Sequence, residues 1–243
     1  MVRKNIYLSL LLILNALFLL YPTTANAQRR SSLPKVKEDS IPFFRGAAVG
    51  VDLVGPAMRW LASYGQYEAL LRVNLKDRYF PIVEVGVGQA DKADETTGTN
   101  FKTSAPYGRV GCDFNMLKNK HDDYRFMVGG RVGYTSFKYD VLSPGLADPI
   151  WGTQSSYGAL GNKGSQLWAE LVGSVDAKIL GPVRMGWSVR YKLRVAHKMG
   201  EIGEAWYVPG YGCGGSSQLG ATFNILCSSH PSLISASLHH LHY

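Results

Sequence analysis

From residue 46 onward, apolar and polar positions alternate in eight runs, at approximately 46–54, 66–76, 80–89, 107–117, 125–139, 166–180, 184–196 and 217–226. Strand side chains point to opposite faces in turn, so each run predicts a strand with one greasy and one polar face. The seventh run is the clearest. Trp187, Val189, Tyr191, Leu193 and Val195 share one face, and Ser188, Arg190, Lys192 and Arg194 the other. No helical period persists across the stretch. Most runs are about the 9–11 residues that a tilted strand needs to cross a bilayer.

The connections sort by length. After runs two, four and six they are short: 77–79, 119–123 and 181–183. After runs one, three, five and seven they are longer: 55–65, 90–106, 143–165 and 197–216. Antiparallel neighbours reverse direction, so all short turns fall at one end, the plan of outer-membrane barrels. One parity collects residues such as Val49, Leu71, Val85, Val110, Val132, Leu171, Val189 and Leu219. The other collects Asp52, Glu68, Arg72, Glu84, Arg109, Asp113, Arg131 and Arg184. A soluble barrel puts the apolar parity inside, and a membrane barrel inverts it. The sorted loops favour inversion, as do aromatics near run ends: Tyr67, Tyr79, Phe80, Tyr107, Tyr124, Phe126 and Tyr139. The glycines within 85–89 and 128–133 read as kinks that bend the sheet into a small barrel.

The N-terminus agrees. Arg3 and Lys4 precede an apolar run from Ile6 to Tyr21, and a small, polar stretch closes with Ala25-Asn26-Ala27. This predicts a secretory signal peptide over 1–27, cut after Ala27. Residues 28–45 read as a flexible lead-in, 46–226 as the barrel and 227–243 as an atypical tail. The net charge is +8, and in an exported chain nucleic acid is not the expected partner. The cysteines Cys112, Cys213 and Cys227 have no metal-ligand spacing. Cys213 and Cys227 stay open as a disulfide pair.

The densest charged group is Glu170, Asp176, Lys178, Arg190, Lys192 and Arg194. Eight strands leave an interior just wide enough for side chains, so these predict a salt-bridged filling rather than a channel. The turn at Gly181 to Val183 sets Glu170 opposite Lys192 or Arg194. The Gly-rich 210–215 piece precedes a strand and lacks a following Lys-Ser or Lys-Thr, so it is no phosphate loop. No Gly-x-Ser-x-Gly elbow exists, and no histidine lies in the apolar parity of a strand. Neither an enzyme nor a cofactor or metal site is expected. The loop aromatics Trp151, Tyr157, Trp206, Tyr207 and Tyr211 are candidate contacts for a partner, a glycan or lipopolysaccharide.

Several stretches carry a resemblance: GVDLVGP at 50–56, NLKDRYFPIVEVGVGQAD at 74–91, FKTSAPYGRVGCDFNML at 101–117, SFKYDV at 136–141, DPIWG at 148–152, MGWSVRYKLR at 185–194 and WYVPGYG at 206–212. Together they resemble a family of secreted Bacteroidota proteins known as domain of unknown function 6048. The resemblance implies an outer-membrane β-barrel and carries over no catalytic residue. Residues 227–243 lie outside it, where such barrels end on an aromatic closing strand.

The expectation is therefore an all-β, single-domain, eight-stranded antiparallel up-and-down barrel in the outer membrane. Short turns are periplasmic and longer loops external. Its partners are outer-membrane lipid and the barrel-assembly machinery that inserts it, with lipopolysaccharide as a loop ligand. A soluble periplasmic barrel binding an apolar ligand is the alternative.

Overall fold

The structure is a computed structural model and describes residues 42–147, 154–198 and 204–229. The expected signal peptide, most of the lead-in and residues 230–243 of the tail lie outside the described residues. The alternating runs form β1 (Phe44–Asp52), β2 (Tyr64–Leu75), β3 (Tyr79–Ala93), β4 (Asn100–Asn115), β5 (Tyr124–Ala147), β6 (Gln154–Leu180), β7 (Val183–Lys198) and β10 (Ser217–Ser228). A short hairpin, β8 (Tyr207–Val208) with β9 (Gly212–Cys213), interrupts the last connection. All eight long strands are antiparallel, and β1 pairs with both β2 and β10 to close the barrel.

Hydropathy is inverted relative to a soluble core. Val49, Val85, Val110, Val132, Leu171, Val189 and Leu219 are exposed on the outside. Glu68, Glu84, Arg109, Arg131, Glu170 and Arg190 are buried inside. An apolar band facing outward around a charged interior defines a membrane-spanning barrel. No described helix is long and apolar enough to cross a membrane, and crossing by strands does not need one.

Strand lengths differ from the sequence reading. β4 begins at Asn100 rather than near 107, and β5 and β6 continue to Ala147 and from Gln154. Residues read as long loops are thus largely strand extensions. The glycines at 158, 161 and 164 blur the alternation there. Asp91, Lys102, Lys138 and Lys163 lie on the outer surface of these extensions. They mark where the apolar band ends.

Two boundaries shift at the other end. Phe44 and Arg45 belong to β1 rather than to the lead-in, and Cys227 and Ser228 belong to β10 rather than to the tail. Cys227 pairs across to Val49 and Val183 at the short-turn end, whereas Cys213 lies at the long-loop end. A strand rises about 3.3 Å per residue. β10 alone therefore separates the two thiols by far more than a disulfide spans, and all three cysteines are free.

The connection read as a loop over 55–65 contains a helix, α1 (Val54–Leu61). Asp52 creates it. Its carboxylate accepts the amides of Val54 at 3.1 Å and Gly55 at 2.8 Å, and also the Phe223 amide of β10 at 3.2 Å. One buried acid thus starts the helix and satisfies a strand edge that β1 no longer covers. Eight residues are too few for a helical period to stand out, and Gly55 and Pro56 suggest a turn.

Candidate functional site

The interior is layered. At the short-turn end Asp77 accepts hydrogen bonds from Asn74 at 2.6 Å, His121 at 2.8 Å and Arg125 at 3.4 Å, and pairs with Arg45 at 3.2 Å. Burial alone would raise the Asp77 carboxyl. The hydrogen bonds from Asn74 and His121 and the Arg45 and Arg125 charges outweigh it and hold the group below the usual carboxylate range.

Next comes a chain of ion pairs. Arg184 meets Asp176 at 2.7 Å, and Asp176 meets Arg72 at 2.8 Å. Arg72 reaches Asp113 at 3.6 Å, which holds Arg131 at 3.0 Å. Arg131 bonds to Glu84, and Arg109 to Glu68. Arg109 also contacts Glu84 at 3.1 Å and Glu170 at 3.2 Å. Arg190 lies 3.0 Å from Glu84, 3.2 Å from Glu68 and 4.0 Å from Glu170. These arginines and carboxylates balance, five against five. Removing one partner would strand a buried charge.

Toward the long-loop end the filling turns aromatic. Tyr107 donates to Glu68 at 2.7 Å, and the Trp168 indole to Glu170 at 2.6 Å. Both rings need space that glycine provides. A Cβ on Gly133 would lie 2.3 Å from the Trp168 ring, and one on Gly86 would lie 2.6 Å from the Tyr107 hydroxyl. Glycines within alternating runs predict bends, whereas here they clear room.

A plug closes the mouth. Ala205, Tyr207, Val208 and Tyr211 are buried among Phe101, Tyr107, Phe137, Tyr139 and Trp168. Val208-Pro209-Gly210-Tyr211 is a tight turn. The Tyr211 amide reaches the Val208 carbonyl at 3.1 Å, and Gly210 takes a φ of 80° that glycine adopts without strain. Lys192 Nζ donates to the carbonyls of Gly210 at 2.8 Å and Tyr211 at 3.0 Å.

The predicted site residues separate accordingly. Glu170, Asp176, Arg190 and Lys192 are buried in the interior. Lys178 is not part of that cluster; it is exposed at the short-turn end, directly across from Arg184. Arg194 is half-buried at the mouth and bonds to Glu204 at 2.8 Å. Glu170 and Lys192 are cross-strand partners, yet Glu170 pairs with arginines and Lys192 with the plug. Tyr207 and Tyr211 are not displayed contacts, because both rings fill the mouth. Trp206 is half-buried, under Lys92 with its ammonium 4.3 Å from the ring centre. Trp151 and the Tyr157 side chain lie outside the described residues. Of the predicted rim aromatics, Tyr67, Tyr79, Tyr124 and Phe126 face outward, while Phe80, Tyr107 and Tyr139 face in.

The fold and its inverted faces define the class: a closed, eight-stranded membrane barrel with a filled lumen. The chain belongs to the family described as domain of unknown function (DUF6048), whose model matches residues 5–229. Among solved structures it is similar to a major outer membrane protein from Thermus thermophilus, at 11% identity and a TM-score of 0.42, covering 76% of this chain and 98% of that one. It is also similar to Neisserial surface protein A, at 12% identity and a TM-score of 0.37, covering 76% and 94%. No curated protein matches it.

Proposed function

We propose that this is an outer-membrane barrel, exported by its signal peptide and inserted by the barrel-assembly machinery. Its short turns face the periplasm. It is neither a channel nor an enzyme, and it acts as a structural or binding protein at its external face. The observation that carries the reading is the pairing of an apolar outer wall with a lumen packed by ion pairs and capped by the 204–216 plug. The same packing leaves no apolar lumen for a soluble ligand-binding barrel.

The external ligand this reading favours is lipopolysaccharide. Lys138 and Lys163 are direct cross-strand partners on the outer surface of the β5–β6 extension, and both are exposed. Like charges directly opposite one another are unfavourable, and a phosphate between them reverses the sign. A carbonate wash should leave the protein in the membrane. Reconstituted barrel should give no steady conductance in a planar bilayer. Lipopolysaccharide retention should fall in a Lys138→Gln, Lys163→Gln double variant. Release by carbonate, or an open conductance, defeats the reading.

A further inference from the structure

The outer wall carries a groove of about 710 Å³ where β1 gives way to α1. Val51, Leu53, Pro56, Tyr67, Val85 and Val87 surround it, and its lining is almost wholly apolar. It opens to the outside, and Ala69, on the outward face of β2, gives it a floor with almost no side chain. Its inner limit touches Asp52, Glu68 and Tyr107, whose polar ends are turned to their own partners.

α1 stands at the long-loop end of this groove. Trp60 and Leu61 are 89% and 72% exposed on it. Such residues on a short helix at a barrel rim suit the membrane interface. Arg59 follows Pro56 by three residues and shares its helix face. A Cβ on Gly65 would lie 2.5 Å from the Arg59 Cβ, so Arg59 stands on Gly65. Gly65 and Tyr67 share the outward face of β2, which places Arg59 directly above the groove. Its guanidinium has no hydrogen-bond or ion-pair partner among the described residues.

The geometry points to a bound anionic lipid, with an acyl chain in the groove and its headgroup phosphate on Arg59. Two observations choose this occupant. Val51, Val85 and Val87 belong to the lipid-facing band, so hydrocarbon is what meets the groove. An unpaired guanidinium at its polar end recognises a phosphate oxygen pair and leaves a zwitterionic headgroup less favoured. The site rests on the membrane reading above, but not on lipopolysaccharide binding at Lys138 and Lys163.

The test uses the full barrel in vesicles of equal phosphatidylcholine and phosphatidylglycerol with matched chains, followed by mild detergent extraction and native mass spectrometry. Phosphatidylglycerol should be retained at one per barrel, in preference to phosphatidylcholine. Arg59→Gln should lower that preference about fivefold, the effect of one cation near a lipid surface. Ala69→Trp should fill the groove and lose the retained lipid, and Val85→Trp serves if that variant does not fold. Val110→Trp, outside the groove, should retain lipid as the parent does. Equal retention of the two lipids overturns the site. So does an unchanged preference in Arg59→Gln, or retention that survives a filled groove. A chain that fails to float with the vesicles sinks the membrane reading and the site together. A chain that floats without selectivity sinks the site alone.

Discussion

Lys192 holds Gly210 by its carbonyl oxygen at 2.8 Å, so a single ammonium ties the last long connection to the barrel wall. Removing it should loosen the plug. Lys192→Met forfeits charge-assisted hydrogen bonds to Gly210 and Tyr211 and should cost about 1.5–3 kcal/mol. The checks are urea unfolding in vesicles and amide exchange over 204–216. Exchange there should speed up while the β2–β3 hairpin stays protected. Unchanged exchange across the plug would show that its other ties, among them Tyr207 to Gly65 and Arg194 to Glu204, secure it without Lys192.

Arg109 touches three carboxylates in the lumen: Glu68, Glu84 and Glu170. Arg109→Met should therefore destabilise by about 3–5 kcal/mol, because it strands buried negative charge. Adding Glu170→Gln to it should recover part of that loss. A double variant whose cost is the plain sum of its singles counts against an electrostatic origin.

Val189 faces outward at mid-strand, with Trp187 and Tyr191 on the same face. Val189→Arg should cost roughly 2–4 kcal/mol in vesicles. A fluorophore on Val189→Cys, with Cys112, Cys213 and Cys227 replaced, should be quenched by a lipid-tethered quencher and not by a water-soluble one. Quenching from water only would place the residue outside hydrocarbon.

Asp77 gives a pH dependence of known sign. Its folded carboxyl lies below the ordinary value of about 3.9, so its ionised form contributes stability above that pH. The contribution is lost as pH falls from about 4 through the lower folded value. Asp77→Asn should flatten the stability curve below pH ~4 and leave only a constant offset near neutrality. An equally steep acid limb in the variant assigns the effect to other carboxylates.

The faces of the barrel were legible in the sequence because alternation is a local property. Trp187 to Val195 shows both faces in nine residues. The plug was not legible, since nothing within 204–216 states that it folds back into the mouth. One signal was present: Tyr207, Val208 and Tyr211 are too apolar for a loop surrounded by water. The partners of Glu170 were also out of reach. Register gives Lys192 across the strand, while the ion pairs run diagonally to Arg190 on β7 and past β5 to Arg109 on β4. Lumen contacts depend on closure, which no single hairpin encodes.

The ion-pair chain in the lumen constrains how the barrel comes together. Arg190 pairs with Glu84 from 106 residues away, and Arg72 with Asp176 from 104. Glu68 and Glu84 arrive early, on β2 and β3, and their Arg190 partner arrives only with β7. A chain stopped after β6 would carry uncompensated carboxylates into a low-dielectric interior, where an unpaired charge is costly. The lumen thus penalises half-built sheets, because Glu68 and Glu84 gain their Arg190 partner only when β7 is in place. Chains truncated before Val183 should accordingly remain protease-sensitive rather than form smaller stable barrels.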